Sequence, residues 1–226
     1  MQLAKNLYGY IWQGQDNNCN SYLISNCLDQ NRHLLIDPGH IKTKGTDEPA
    51  LELLLKGIQN DGLDPGAIGL TLLTHCHPDH IEAASFFQTR INTKVAIHRA
   101  EADIYQQMGG IADLLLDEGD LKLGTQESVL LDIIHSPGHS PGHITIFWPK
   151  EKVLIAGDLI FYHSTGRTDL PGGSLAQMKQ SIKRVSSLDV DWLLCGHPYG
   201  HPGVIQGRDE VKENFQFLSH QMMIEP

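Results

Sequence analysis

Four times along the chain, an apolar and β-prone run ends abruptly in histidine or aspartate. The first is Leu70-Thr71-Leu72-Leu73-Thr74, which leads into His75-Cys76-His77-Pro78-Asp79-His80. Val129-Leu130-Leu131-Asp132-Ile133-Ile134 precedes Ser136-Pro137-Gly138-His139-Ser140-Pro141-Gly142-His143. Val153-Leu154-Ile155-Ala156 runs into Gly157-Asp158, and Trp192-Leu193-Leu194-Cys195 into Gly196-His197. Short apolar runs bounded by turn residues read as buried strands. Pro78 biases His77 away from helix, so the polar residues fall on a loop.

The remaining pattern fills in around these runs. Strands are predicted over 7–12 and 19–25, about the turn Gly14-Gln15-Asp16-Asn17, and over 32–36, ending at Asp37-Pro38-Gly39. An amphipathic helix is predicted over 49–58, with Leu51, Leu54, Leu55 and Ile58 on one side. A helix over 81–88, a strand over 94–98 and a helix over 99–108 follow. Residues 109–124 read as a loop with a short turn beside the active-site mouth, its leucines going to the core or, as the second reading, to a substrate wall. Strands over 144–148 and 152–156 extend the 129–134 run into a second sheet. A helix over 175–188, a strand over 191–195 and a final helix over 208–220 complete the chain. The fold class expected is α/β, a four-layer αββα sandwich of two mixed β-sheets flanked by helices. Residues 1–226 are read as a single domain with a short C-terminal helix at about 207–220.

Composition narrows the function. A chain of 226 residues can bury a sizeable core, and a 40% hydrophobic content is ordinary for a globular protein. No apolar run approaches the ~20 residues that span a bilayer, and the first residues lack the apolar core of a signal peptide. No membrane role is expected. The net charge of −10 argues against a nucleic-acid partner. Cys19, Cys27, Cys76 and Cys195 form no Cys-x-x-Cys pair, which favours free thiols and a cytoplasmic protein. Cys76 and Cys195 are read as small buried fillers. Alternation with His75 and His77 turns Cys76 to the opposite side.

The chemistry is that of a metal site. His75 and His77 leave the same face of an extended backbone, and Asp79 and His80 follow past a turn. Imidazole and carboxylate suit borderline divalent metals. A small residue precedes the polar one at His139, Asp158 and His197, letting backbone approach a crowded centre.

Taken in order, these motifs resemble the metallo-β-lactamase-fold metallohydrolase superfamily, most of all its glyoxalase II-like branch. The matching residues are His-x-His-x-Asp-His at 75–80, Pro-Gly-His-Ser-Pro-Gly-His at 137–143, Gly-Asp at 157–158, Gly-His at 196–197 and the early Asp37-Pro38-Gly39 turn. The resemblance implies two divalent metal ions, zinc first with iron or manganese as alternatives. His75, His77 and His139 would bind one, Asp79, His80 and His197 the other, and Asp158 would bridge them. Water held between two such ions ionises near neutral pH and becomes the nucleophile, with Asp79 orienting or deprotonating it. Asp37 is either a plain turn residue or an acceptor supporting the cluster from behind. His143, four after His139, is read as supporting its neighbours rather than as a ligand. His163 and His201 are read as surface or supporting residues; His33, His98, His135 and His220 as structural.

The resemblance implies a small-molecule partner, a thioester or related ester or lactone, with hydroxyacylglutathione hydrolysis the leading reaction. Self-association into a homodimer is left open. Arg167, in Gly166-Arg167-Thr168-Asp169, either binds a substrate carboxylate through its fork or forms a buried pair with the aspartate. Tyr199 resembles a glutathione-contacting tyrosine of glyoxalase II. However, the long helical C-terminal domain of that enzyme has no counterpart after His201. Two competing readings stand: a mono-iron persulfide dioxygenase using His75, His139 and Asp158, and a non-catalytic metal-dependent binding module.

Overall fold

In the computed structural model, which describes residues 1–125 and 129–224, the strands fall into two mixed sheets and a small hairpin. The described residues group into two units. One is drawn from Met1–Leu116 and Lys122–Val129, the other from Asp117–Leu121 and Leu130–Pro226.

The first unit carries a seven-stranded sheet in chain order. Its strands are β1 (Gln2–Ala4), β2 (Leu7–Tyr10), β3 (Ser21–Ile24), β4 (His33–Ile36), β5 (Ile68–Leu72), β6 (Lys94–His98) and β7 (Leu114–Leu116). Strands β1 to β4 pair antiparallel, and β4 to β7 pair parallel. Parallel neighbours need a crossover, and helical segments supply each one. Between β4 and β5 runs α1 (Ala50–Asn60), whose buried Ala50, Leu51, Leu54 and Ile58 recur at helical spacing. Leu51, Leu54 and Ile58 form one apolar cluster with Leu23, Leu35, Ile68 and Phe87. Each fully buried aliphatic contributes about 1.5–3 kcal/mol.

After β5 the chain departs from the single helix expected over 81–88. It makes two short turns, α2 (Pro78–Ile81) and α3 (Ala84–Phe86), then a π-helical turn over Phe87–Ile91. The cause is a rerouted hydrogen bond. The Ala83 N–H, which a continuous helix would give to the Asp79 carbonyl, goes to Gly39 O at 2.8 Å. The Asp79 carbonyl instead accepts from the Cys19 N–H at 3.3 Å. Asn92, at a left-handed φ of 62°, ends the π turn.

Residues 109–124 also differ from the expected loop. Leu114–Leu116 forms β7, parallel to β6, and α4 (Ala102–Gln107) provides the crossover to it. Gly119–Leu123 forms β8. Both are short edge strands; β7 is three leucines with no alternation, whereas β8 alternates over Asp120-Leu121-Lys122-Leu123, a strand signal present in the sequence. Leu116 and Leu123 are buried there, whereas Leu114 and Leu115 are exposed, against their expected core role, as is Ile111.

The second sheet has six strands in the order β15-β14-β11-β10-β9-β8. They include β9 (Val129–His135), β10 (Ile144–Trp148) and β11 (Val153–Gly157). A hairpin of β12 (Ile160–Phe161) and β13 (Ser164–Thr165) follows β11. Then come α5 (Leu175–Val185), β14 (Trp192–Cys195), β15 (Val204–Gln206) and α6 (Arg208–Gln221). The β11–β14 pair is parallel, with α5 in the crossover, while β9–β10, β10–β11 and β14–β15 are antiparallel. Met178, Ile182 and Val185 of α5 and Val211, Phe215 and Leu218 of α6 are buried with Leu154, Leu193 and Ile205 in one core. Strands β10 and β11 are buried at every position, which is why they read as unbroken apolar runs. Among the described residues, no helix is long and apolar enough to cross a membrane.

Candidate metal centre

In the first unit the donors sit just past β5. The φ/ψ of His77 is extended and Pro78 takes the first position of α2, so the histidine loop turns sharply into Asp79 and His80. His75 Nε2 and His77 Nδ1 face each other at 3.0 Å. The His75 and His80 rings are 4.2 Å apart, and an Asp79 oxygen lies within 4.8 Å of a His80 ring nitrogen.

Partners behind these rings fix their protons. Asp37, 2% exposed, accepts from the Thr74 N–H at 2.8 Å and the Thr74 hydroxyl at 2.7 Å. It also pairs with His80 Nδ1 at 2.9 Å. A carboxylate only accepts, so Nδ1 of His80 carries the proton and Nε2 keeps its lone pair. The Thr74 hydroxyl has spent its hydrogen on Asp37. His75 Nδ1, 3.0 Å from that oxygen, is therefore the donor, and His75 Nε2 also keeps a lone pair. Asp37 is thus both a turn residue, at a left-handed φ of 49°, and a brace for His80.

The second unit brings its three donors together. His139 Nε2 and His197 Nε2 each lie 3.4 Å from the same Asp158 oxygen, Oδ2. All three residues are buried. His139 Nδ1 donates to the Arg167 carbonyl at 2.8 Å, which again leaves Nε2 with a lone pair. His143 Nε2 accepts the Asp158 N–H at 3.1 Å, so it steadies the aspartate turn from the main-chain side. Glycines are required around Asp158. A Cβ at Gly196 would sit 2.1 Å from Asp158 Oδ1, and one at Gly166 would sit 2.0 Å from the Asp158 carbonyl.

Each unit offers ligand-type atoms suited to a divalent metal. Two nitrogens on one tetrahedral ion at ~2.0 Å are about 3.3 Å apart, close to the His75–His77 separation. Lone pairs turned inward and protons turned outward are what metal-binding histidines need.

The metallo-beta-lactamase superfamily model matches residues 14–197. The chain belongs to the metallo-β-lactamase superfamily. Its two mixed sheets with flanking helices are the α/β sandwich fold of that family. A probable metallo-hydrolase of Methanocaldococcus jannaschii is 32% identical over 212 residues, covering 87% of this chain and 92% of that one. A hydroxyacylglutathione hydrolase of Cereibacter sphaeroides is 31% identical, covering 76% of this chain. The chain spans only 64% of that relative's length. Among solved structures, the BLEG-1 B3 metallo-beta-lactamase is 29% identical with a TM-score of 0.67, covering 84% of this chain and 91% of that one. A protein crystallised in a di-iron-bound form is 30% identical with a TM-score of 0.65 and the same coverage. Membership of this superfamily and its hydrolase relatives support a hydrolase.

Other residues of this superfamily member fall as follows. Arg167 does pair with Asp169, through two bonds of 2.9 and 2.7 Å, but the pair is exposed rather than buried. Arg167 holds the Asp169 carboxyl down to about 2. Tyr199, 51% exposed, stacks on His197 with ring centroids 4.7 Å apart. His201, Tyr162, His163 and Phe217 stack in a row at centroid spacings of 4.3, 4.0 and 4.2 Å. Cys76 donates to the fully buried Glu101. Burial first, then Glu101, pushes its thiol up; burial and Asp158 do the same to Cys195. Both remain protonated fillers. The sequence reading missed Thr74, Glu101 and the Arg167 carbonyl. Only Thr74, a hydroxyl next to a proposed ligand, left a signal that could have been read.

Proposed function

We propose that this chain is a dinuclear metallohydrolase that cleaves a small thioester, of the hydroxyacylglutathione kind, or a related ester or lactone. His75, His77 and His139 would hold one divalent ion, Asp79, His80 and His197 the second, and Asp158 would be shared. The observation that carries this reading is the backing of the rings. Thr74, Asp37 and the Arg167 carbonyl each take a ring N–H and turn a lone pair away from themselves. Relatives that are hydroxyacylglutathione hydrolases supply the substrate class. Zinc is the proposed metal, and iron is the alternative that the di-iron relative suggests. When bound, such a pair of ions supplies Lewis acidity toward water and toward the substrate carbonyl. The chain's own part is orientation. Asp79 would align the attacking water, His143 and the glycines around Asp158 hold the shared carboxylate still, and Tyr199 would border the substrate. Arg167 is proposed to act mainly through its carbonyl on His139, its side chain being engaged by Asp169. We further propose residues 1–226 as one functional domain acting in the cytoplasm, alone or as a homodimer.

Elemental analysis of the purified protein together with a thioester, lactone and β-lactam panel tests this. The expected result is two ions per chain and thioester turnover that His77→Ala abolishes together with metal uptake. Full activity in His77→Ala sinks the ligand assignment. Iron with thiol-dependent oxygen uptake would point to the persulfide dioxygenase reading instead.

A further inference from the structure

Asn17 sits in what the sequence presents as an ordinary turn, yet its side chain reaches a proposed metal ligand. Asn17 Nδ2 donates to Asp79 Oδ2 at 2.6 Å. Asn17 is exposed. A lone hydrogen bond between exposed side chains is ordinarily worth little, because water competes and the side chains must be ordered. This one belongs to a loop clamped in place.

Glu48 accepts from the Gln15 and Asp16 N–H groups, both at 2.9 Å. Asp16 in turn accepts from the Asn17 N–H at 2.8 Å and the Thr46 N–H at 3.1 Å, and also from Gly45. Those backbone donors hold both carboxyls below their ordinary range. Trp12 closes the loop on itself, donating from Nε1 to the Asp16 carbonyl at 2.7 Å and from its N–H to Asn20 at 3.0 Å. On the far side the Asn18 oxygen accepts the His40 N–H at 2.7 Å, and the Cys19 N–H donates to the Asp79 carbonyl at 3.3 Å. Asp79 is therefore gripped twice by one rigid segment, at its main-chain oxygen and at its carboxylate.

We propose that Asn17 is a positioning residue for Asp79, and that residues 12–20 with Glu48 form the brace that holds it. The bond to Oδ2 restrains rotation of the carboxylate about Cβ–Cγ, so Asp79 would present itself to a bound ion in one orientation. This inference rests on the dinuclear reading given above. Loss of a group that supports a metal ligand typically costs 10–100-fold in metal affinity.

Metal-free protein titrated with zinc against a chromophoric chelator tests it, using wild type, Asn17→Ala, Asp79→Asn, the double variant and Glu48→Gln. Asn17→Ala is expected to weaken the second zinc about 10-fold and leave the first unchanged. In the Asp79→Asn background the same change should cost less, because the amide oxygen that replaces the carboxylate is the weaker acceptor. Glu48→Gln should weaken the same step by less. Wild-type titration by Asn17→Ala, or an undiminished loss in the Asp79→Asn background, overturns the proposal. So does a metal-free Asn17→Ala melting several degrees below wild type, since that is a structural role. A wild type that takes up fewer than two zinc ions overturns the dinuclear reading and this one with it. Wild-type-like behaviour of Asn17→Ala in protein that takes up two overturns this one alone.

Discussion

Replacing Asp37 with asparagine keeps the side chain's shape and changes what it can accept. The native carboxylate receives two bonds from Thr74 and one from His80, at 2.7–2.9 Å, in a nearly solvent-free position. Hydrogen bonds to a charged group are worth roughly 1.5–3 kcal/mol each. The asparagine oxygen can still take the Thr74 N–H, but its amide then faces the Thr74 hydroxyl and the His80 N–H. The hydroxyl can rotate. His80 must move its proton to Nε2, the nitrogen that the proposed site needs unprotonated. About one charged bond is lost outright, so Asp37→Asn should cost about 2 kcal/mol. Asn tolerates the left-handed φ of 49° at this position, so no backbone penalty is added. Asp37→Ala loses all three bonds, orphans a buried N–H and places alanine at that φ; about 3–5 kcal/mol is expected. Urea unfolding of the metal-free variants measures both values, and zinc titration should show a further loss of roughly 10–100-fold. Both variants within about 0.5 kcal/mol of wild type, a shift typical of inert surface changes, would refute the account of Asp37 as the keystone of His80.

Three further outcomes are expected. Gly196→Ala should push the Asp158 carboxylate aside, since its Cβ would sit 2.1 Å from Oδ1; the loss of bound metal, read by elemental analysis, should exceed the overpacking cost of about 1–3 kcal/mol seen in melting. All four cysteines are buried, and burial pushes Cys27 up to about 12, so native protein should resist alkylation that proceeds readily in urea. Fast labelling of Cys76 or Cys195 in folded protein would contradict their assignment as fillers. Burial also holds the His33 imidazole below its ordinary pKa, with Nδ1 accepting the Asn26 N–H at 3.1 Å. The unfolded chain then takes up the proton first. Stability should fall as pH drops below about 6.5 toward the depressed native value, and His33→Gln should flatten that part of a urea midpoint-versus-pH curve.

The strand ends were readable because burial leaves apolar runs and glycine leaves an abrupt stop. β5, β9, β11 and β14 all lie where those runs were read. The histidines and Asp158 stood out since few other reasons put imidazole beside glycine at a strand end. Sequence periodicity could not show the broken helix after His80, because the break comes from Ala83 donating to Gly39, a partner 44 positions earlier. β8 alternates over Asp120-Leu121-Lys122-Leu123 and could have been read, whereas β7 is three leucines with no alternation, two of them exposed at the sheet edge. The brace around Asn17 has Asp, Asn and Glu as its side-chain acceptors, little different from those of any polar turn. Its meaning lies in which backbone N–H each carboxylate reaches.

That rerouted bond also bears on how the molecule breathes. An uninterrupted helix frays turn by turn from its end. The segment after His77 has instead lent its rungs outward: Ala83 to Gly39, Gly39 to the His80 carbonyl at 3.1 Å, and the Asp79 carbonyl to Cys19. None of these amides can exchange with solvent unless loops distant in sequence let go together. Deuterium uptake at Cys19, Gly39 and Ala83 should therefore follow one shared opening event, shielding His80 from the local fluctuations that so short a helical turn would otherwise allow.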